Sequence, residues 1–319
     1  MIDEKELLSL LEEQIADLGL PSRPRALYYP IEYTLQSGGK RLRPVLTLAS
    51  CKAFSGNAVG AINQAMALEM FHNFTLIHDD VMDRSPKRRN RPTVYCRWGD
   101  VQAILSGDTL LTLATARVVR EAGDNAMRVL ELFNTTAIEV YEGQQFDMAF
   151  EKRETVRVKE YLEMIRLKTS VLIAAACAMG AIMGGASPEA VEAMYTYGEK
   201  LGLAFQLRDD LLDVYGDPKT FGKTIGTDII NRKKTWLYIT AMHEAKEEMD
   251  GAYSAGTSKR GVIAAVRRVY DKLDLSARCA KMINRYCDEA LAALTRAGMS
   301  AEDEKWFADM AHSLSQRSK

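Results

Sequence analysis

No proline occurs between Val94 and Ser187, and apolar/polar alternation never runs beyond about four residues in this 319-residue chain. Half-buried strands need that alternation, so the chain is confined to helices packed on helices. Three long helical segments fit the proline-free stretch, with breaks or kinks at Gly99-Asp100, Gly123-Asp124 and Lys152-Arg153-Glu154. Upstream, Leu7, Leu8, Leu11, Ile15 and Leu18 recur at helical spacing and Gly19 ends that helix. Pro21, Pro24 and Pro30 punctuate a connector, and apolar helices are expected from Val45 to Phe54 and from Ala58 to Asp83. Val191 to Leu207 reads as another, and Trp236 to Lys319 as amphipathic helix broken near Asp250-Gly251 and Gly298. The expected fold class is all-α.

Composition narrows the function classes. Net charge is −1, so no global field points to nucleic acid or an anionic membrane. Cys51, Cys96, Cys177, Cys279 and Cys287 are odd in number and lack C-x-x-C spacing; they read as buried free thiols in a reducing compartment. The N-terminus opens an amphipathic helix, not a signal peptide, and the longest apolar run, Val171 to Ala186, is too short for a spanning helix. The expectation is a soluble cytoplasmic protein with no membrane span and no nucleic-acid partner.

The run from Ala58 ends in three carboxylates, Asp79, Asp80 and Asp83. Asp79 and Asp83 share one helix face, with Asp80 offset by about 100°. Acidic groups at a helix C-terminus face the negative end of the macrodipole and repel one another, so a cation is needed there. The same D-D-x-x-D spacing returns at Asp209, Asp210 and Asp213. Mg²⁺ takes one or two protein carboxylates and fills its shell with water and phosphate oxygens. Two such walls suit several Mg²⁺ ions clamping a diphosphate.

Cations accompany both walls. Ser37-Gly38-Gly39-Lys40-Arg41-Leu42-Arg43-Pro44 puts a glycine pair beside three cations, able to wrap an anion closely, although it is not a G-x-x-x-x-G-K-[ST] loop. Arg84 to Thr93 holds five cations in ten residues. Gly222-Lys223-Thr224 and Asn231-Arg232-Lys233-Lys234 follow the second triad. Polar residues also interrupt apolar helices at Gly143-Gln144-Gln145-Phe146-Asp147 and Lys168-Thr169.

From Ser37 to Thr235 the ordered set G-G-K-R-x-R-P, L-I-H-D-D-x-M-D, R-R, G-Q-x-x-D, K-T, F-Q-x-x-D-D-x-x-D and G-K resembles the trans-isoprenyl diphosphate synthases, the polyprenyl synthetase family. The resemblance implies one domain over 1–319, a bundle of ten or more helices around a deep central cavity, usually as a homodimer. It implies that Asp79, Asp80 and Asp83 bind an allylic diphosphate through Mg²⁺, and that Asp209, Asp210 and Asp213 carry a further Mg²⁺, for three in all, with Mn²⁺ as a substitute. Arg88 matches an allylic-diphosphate contact. Lys40, Arg43, His72 and Arg89 match the isopentenyl diphosphate pocket. Lys168, Thr169, Gln206, Lys223 and Lys233 match residues around the allylic group and its leaving diphosphate. Two positions depart from the family: Asn90, where Gly often follows R-R, and Arg232, where Gly often precedes Lys233.

The implied reaction joins isopentenyl diphosphate to dimethylallyl, geranyl or farnesyl diphosphate. Ionisation of the allylic C–O bond needs stabilised leaving-group charge and exclusion of water. The departed diphosphate takes the final proton, which explains why no separate base is visible. Product length depends on what blocks the cavity below Asp79. The family's determinant positions are Phe74 and Thr75 here, one bulky and one small, with no insertion in the first triad. This resembles short-chain synthases, C20 slightly before C15, with Phe71 as the rival floor by helix geometry. A terpene cyclase of the same fold is the competing reading, but it normally replaces the second triad and needs no Lys40, Arg43 and Arg89. A non-catalytic subunit is another, but it should have lost a motif. A metal-dependent phosphohydrolase built on His78-Asp79 lacks its other ligands, since only His72, His243 and His312 remain.

Overall fold

The fold comes from a computed structural model, which describes residues 2–217, 225–255 and 258–316. The described chain is helical apart from turns and one minimal hairpin. It forms two compact units.

The first unit comprises Met1–Thr135, Ala175–Tyr195 and Ala297–Asp303. Its opening helix, α1 (Glu4–Ala16), is capped by Asp3, which accepts the Lys5 N–H, and it buries Leu7, Leu11 and Ile15. α2 (Arg25–Leu35) and α3 (Leu42–Ser55) follow, and a 3₁₀ turn at Val59–Ala61 leads into α4 (Ile62–Met82). α4 packs against α3 and against α6 (Asp100–Val118), which follows the short α5 (Val94–Trp98). Because α4 is covered on several sides, Met66, Leu68, Phe71 and Ile77 are buried together with polar Gln64, Glu69 and Asn73. Gln64 Nε2 donates to the carbonyls of Val118 and Arg120.

The second unit comprises Thr136–Ala174, Thr196–Arg296 and Glu304–Lys319. α7 (Ala126–Lys152) begins in the first unit and contributes its later turns here. One hydrophobic cluster, including Phe150, Tyr161, Leu207, Leu211, Trp236, Tyr270 and Ile283, gathers α7, α8 (Val158–Ile165), α10 (Pro188–Tyr215) and the helices that follow. Between α8 and α9 (Val171–Met183) lies a π-helical turn, Arg166–Ser170, which carries Lys168 and Thr169.

Several sequence expectations need correction. The basic stretch after Asp83 is not a plain loop. Lys87–Arg88 (β1) pairs antiparallel with Arg91–Pro92 (β2), and the two-residue turn Arg89-Asn90 has φ of 51° and 61°. Positive φ at both turn residues suits the right-handed twist of a hairpin. As far as Met183 the apolar run from Val171 belongs to a continuous 26-residue helix, Val158–Met183, long and apolar enough to cross a membrane; 83% of its apolar window is buried inside the protein, as in a core helix. The helix Lys246–Ala255 runs straight through Asp250-Gly251, where a break was expected. Cys96 is exposed, whereas the other four thiols are buried as expected. The second triad sits inside α10, which continues to Tyr215.

Candidate active site

Asp79 and Asp80 lie in the last turn of α4, and Asp83 is the residue that ends it, its N–H donating to the Asp79 carbonyl at 2.8 Å. The three carboxylates have different surroundings. Asp83 is exposed, Asp79 is half-buried and Asp80 is buried. The Arg88 guanidinium forks onto Asp80, with Nε 3.0 Å from both oxygens and Nη2 2.8 Å from Oδ1. Burial pushes the Asp80 carboxyl up; Arg88 opposes that shift, and Asp83 adds to it. Asp80 therefore anchors the hairpin that carries Arg88 and Arg89.

Arg89 donates to Ser37 Oγ at 3.3 Å and to the Gly38 carbonyl. Its guanidinium lies so close to Gly39 that a Cβ there would sit 2.7 Å from Nη2. That side chain could shift, but the backbone at Gly39 has φ 139°, a conformation that side chains rarely adopt, and this is the physical reason for a glycine at position 39. Arg43, two residues into α3, presents a guanidinium whose Nε is sealed from solvent with no hydrogen-bond partner among the described residues. Burial lowers its pKa to about 10, with Glu69 opposing the shift and Arg89 adding to it. His72, half-buried on α4, is held well below the usual imidazole range by burial and then by Arg43, Arg89, Arg88 and Arg41. It is neutral and faces four guanidiniums. Lys40 is exposed beside them. The structure thus gathers Lys40, Arg43, His72, Arg88 and Arg89 into one strongly cationic corner next to the first triad.

In the second unit Lys168 Nζ meets Asp147 at 2.6 Å, and Thr169 Oγ1 donates to Gln206 Oε1 at 3.1 Å. Gln206 Nε2 donates in turn to Asp210 at 2.9 Å, and the Tyr161 hydroxyl donates to the other Asp210 oxygen. These residues, with Lys233, line a small cavity of about 50 Å³. Two glycines set the π turn in place. A Cβ on Gly143 would lie 2.3 Å from the Lys168 nitrogen, and one on Gly202 would lie 2.5 Å from the Ser170 Cα. Asp147 is held below the usual carboxylate range, because Lys233 and Lys168 outweigh its burial. Asp213 is buried and accepts the Asp228 N–H at 3.0 Å, while Asp209 is half-buried. Lys223 lies outside the described residues.

Both triads follow one plan, in which the middle aspartate is buried against protein donors and the first keeps solvent contact. Among the described residues no three acidic, histidine or cysteine side chains form a ready-made metal cage. Their donor chemistry does fit Mg²⁺, a hard cation that accepts one or two carboxylate oxygens and takes the rest from water and phosphate.

Asp210 makes a testable prediction for the metal-free protein. Burial, then Asp228, pushes its carboxyl from near 3.8 to about 7, against Lys233, Tyr161 and Gln206. The folded state then binds more protons than the unfolded state between those values. Stability from this group is therefore full near pH 4 and is lost as pH rises to about 7, by up to about 4 kcal/mol. In chelator-treated protein, Asp210→Asn should flatten the fall in Tm across that window relative to wild type. Parallel Tm–pH curves for the two proteins would contradict it.

Tyr161, Asp147 and Glu69 were not among the expected site residues. Tyr161 sits at ordinary helical spacing in an apolar segment and carries no signal of its own. Asp147 was visible as a polar interruption and as the aspartate of the G-Q-x-x-D motif, with no role assigned to it. Asn90 and Arg232, the two departures, both have positive φ, 61° and 50°. That conformation explains glycine at such positions. Asn tolerates it, and Arg232 stacks on Tyr253 at 4.3 Å.

A sequence model of the polyprenyl synthetase family matches residues 24–272. The chain is 41% identical over 248 residues to a geranylgeranyl diphosphate synthase of Methanosarcina mazei, covering 76% of each chain. It is 43% identical over 220 residues to a geranylfarnesyl diphosphate synthase of Aeropyrum pernix, covering 67% of this chain and 69% of that one. The crystal structure of a geranylgeranyl pyrophosphate synthetase from Pyrococcus horikoshii superimposes with a TM-score of 0.91 at 33% identity, over 98% of this chain and 97% of the other. With its helical fold and both aspartate triads in order, the chain belongs to the polyprenyl synthetase family, the trans-isoprenyl diphosphate synthases.

Proposed function

We propose that this protein is a head-to-tail prenyltransferase that adds isopentenyl diphosphate to dimethylallyl, geranyl or farnesyl diphosphate, with the C20 product favoured over C15. The observation that carries this reading is the pair of triads, each with a buried, donor-held middle aspartate and its own cations alongside. The chain 1–319 would act as one polyprenyl synthetase domain.

Asp79, Asp80 and Asp83 would hold the Mg²⁺ ions on the allylic diphosphate and Asp209, Asp210 and Asp213 a further one, about three in all. When bound, Mg²⁺ neutralises the charge that develops on the leaving diphosphate. The chain's own residues do the rest. Arg88 orients Asp80. Lys168, Thr169, Gln206 and Lys233 surround the allylic group, presenting cations and dipoles where the C–O bond breaks, and Lys223 would join them by its match to the family motif. Lys40, Arg43, Arg89 and neutral His72 hold the second diphosphate, so that the isopentenyl alkene lies against the allylic carbon. The allylic C–O bond ionises and releases diphosphate, the isopentenyl alkene then forms a carbon–carbon bond to the allylic cation, and a proton passes from the condensed cation to an oxygen of the departed diphosphate. Phe71, Phe74 and Leu110 exclude water from that cation.

Incubating the protein with isopentenyl diphosphate and each allylic primer, and sizing the products, tests the reading. No product from any primer would refute it. The pockets also separate kinetically. Arg43→Ala or Arg89→Ala should raise KM for isopentenyl diphosphate about tenfold or more, whereas Lys168→Ala should act on the allylic substrate. Equal effects on one substrate's KM would remove that division. Val101, Ile104 and Leu105 form an exposed apolar stripe on α6, and we infer that a second copy covers it as a homodimer. Sedimentation as a monomer would overturn that. The four buried thiols support a reducing, cytoplasmic location.

A further inference from the structure

Glu69 is a carboxylate buried beneath the cationic corner, with 3% of its surface exposed. It lies on α4, one turn before His72 and Asn73. Arg41 Nη1 donates to its Oε1 at 2.6 Å, and Asn73 Nδ2 donates to the same oxygen at 3.0 Å. Arg41 is itself immobilised: Nε reaches Glu12 on α1 at 3.0 Å and Nη2 reaches the Leu35 carbonyl at 2.7 Å. Its backbone is left-handed, φ 48°, at the point where the Gly38-Gly39 loop becomes α3. A single side chain thus ties α1, α2 and α4 to the loop that delivers Lys40 and Arg43.

The charge of Glu69 reaches further than its contacts. It is the largest influence keeping Arg43 and Arg89 protonated against burial, while Arg41 and Arg88 act on Arg89 in the opposite sense. The charged groups around it are Glu12 from α1, Arg41 and Arg43 from the loop and α3, and Arg88 and Arg89 from the hairpin. Four guanidiniums repel one another, and a buried ion pair returns little net stability over an apolar pair of the same shape. Stability alone is therefore a weak reason for a glutamate here. Orientation is a stronger one.

We propose that Glu69 is the positioning residue of the isopentenyl diphosphate cradle: it anchors Arg41, fixes the Gly38–Arg43 loop and holds the Arg43 and Arg89 guanidiniums together from the protein side. The proposal rests on the functional reading above, which assigns that cradle. Glu69 touches no substrate, so its removal should misplace the second diphosphate without altering ionisation of the allylic one.

The experiment compares wild type, Glu69→Gln, Glu69→Asp and the apolar pair Arg41→Met with Glu69→Met. The readouts are thermal melting, calorimetric binding of isopentenyl diphosphate alone, and steady-state kinetics with geranyl diphosphate. Glu69→Gln should weaken isopentenyl diphosphate binding and raise its KM about tenfold, with kcat and the KM for geranyl diphosphate within about threefold of wild type. Glu69→Asp should recover part of that loss. The apolar pair should recover melting temperature but not isopentenyl diphosphate affinity. If the pair restores affinity along with stability, or if both substrates' KM values move together, Glu69 is only structural and the proposal fails. If Glu69→Gln does not fold, Glu69→Asp and the apolar pair decide by the same comparison. Wild type that binds no isopentenyl diphosphate overturns the functional reading as well, whereas wild-type turnover with unchanged variant kinetics overturns this proposal alone.

Discussion

Asp79→Asn and Asp209→Asn should each leave a folded protein whose turnover falls by roughly a thousandfold or more. Both residues are half-buried, at positions where three carboxylates crowd one helix. Removing one charge relieves repulsion at the end of α4 and within α10, so melting temperature should hold or rise slightly. Activity should fall because each keeps solvent contact while the middle aspartate of its triad is buried, which leaves it available to a cation and its diphosphate. Asp80→Asn separates catalysis from architecture. Its carboxylate holds the Arg88 fork, so that variant should lose stability as well as rate, since a half-neutralised pair leaves Arg88 poorly partnered. Melting curves and steady-state rates at saturating Mg²⁺ read both effects. Near-wild-type turnover in either first-aspartate variant would remove the triads from the mechanism.

The second large effect is expected at the cavity floor. Phe71, Phe74 and Phe133 form an aromatic stack in the first unit: Phe71 to Phe74 at 5.7 Å and Phe71 to Phe133 at 5.4 Å, edge on. Phe74 also meets the His78 ring at 4.6 Å. Thr75, beside it, is half-buried and folds its hydroxyl back onto the His72 carbonyl at 2.8 Å, leaving only its methyl to block a growing chain. Phe74→Ala should therefore open space below the first triad and shift the product to longer chains. Losing a buried ring costs roughly 3–5 kcal/mol where neighbours cannot close the gap, and prenyl units entering the gap would offset part of that during turnover. Phe71→Ala is the control. If it alone lengthens the product, Phe71 is the floor. If neither does, the floor lies on α6 near Leu110 and Ala114, both fully buried. Chromatographic sizing of the products and a melting curve for each variant give the answer.

Much of this is legible in the amino-acid sequence. The interruptions at Gly99, around Gly123 and after Lys152 follow from local backbone chemistry, which acts over a few residues and is written in their order. The triads are legible for the same reason: D-D-x-x-D puts two carboxylates on one face of any helix. The ordered motifs identified the family because each chemical role needs a particular side chain at a particular place in the chain.

What only the tertiary structure decided are meetings between residues far apart in sequence. The π turn at Lys168-Thr169 depends on how closely Gly143 and Gly202 let two other helices approach its backbone. Nothing local in Arg166–Ser170 announces that. Arg88 reads as one cation among five, and it becomes the anchor of Asp80 only once β1 folds back on α4. Tyr161 and Glu69 look like ordinary helix residues until burial removes the water that would otherwise satisfy them and makes Asp210 and Arg41 their partners. The helix through Asp250-Gly251 shows the converse: packing of Met249 and Ala252 overrides a glycine penalty of about 1 kcal/mol that the local pattern took as a break. Spacing along a helix is a property of the chain, whereas the partner a buried charge finds is a property of the packed fold.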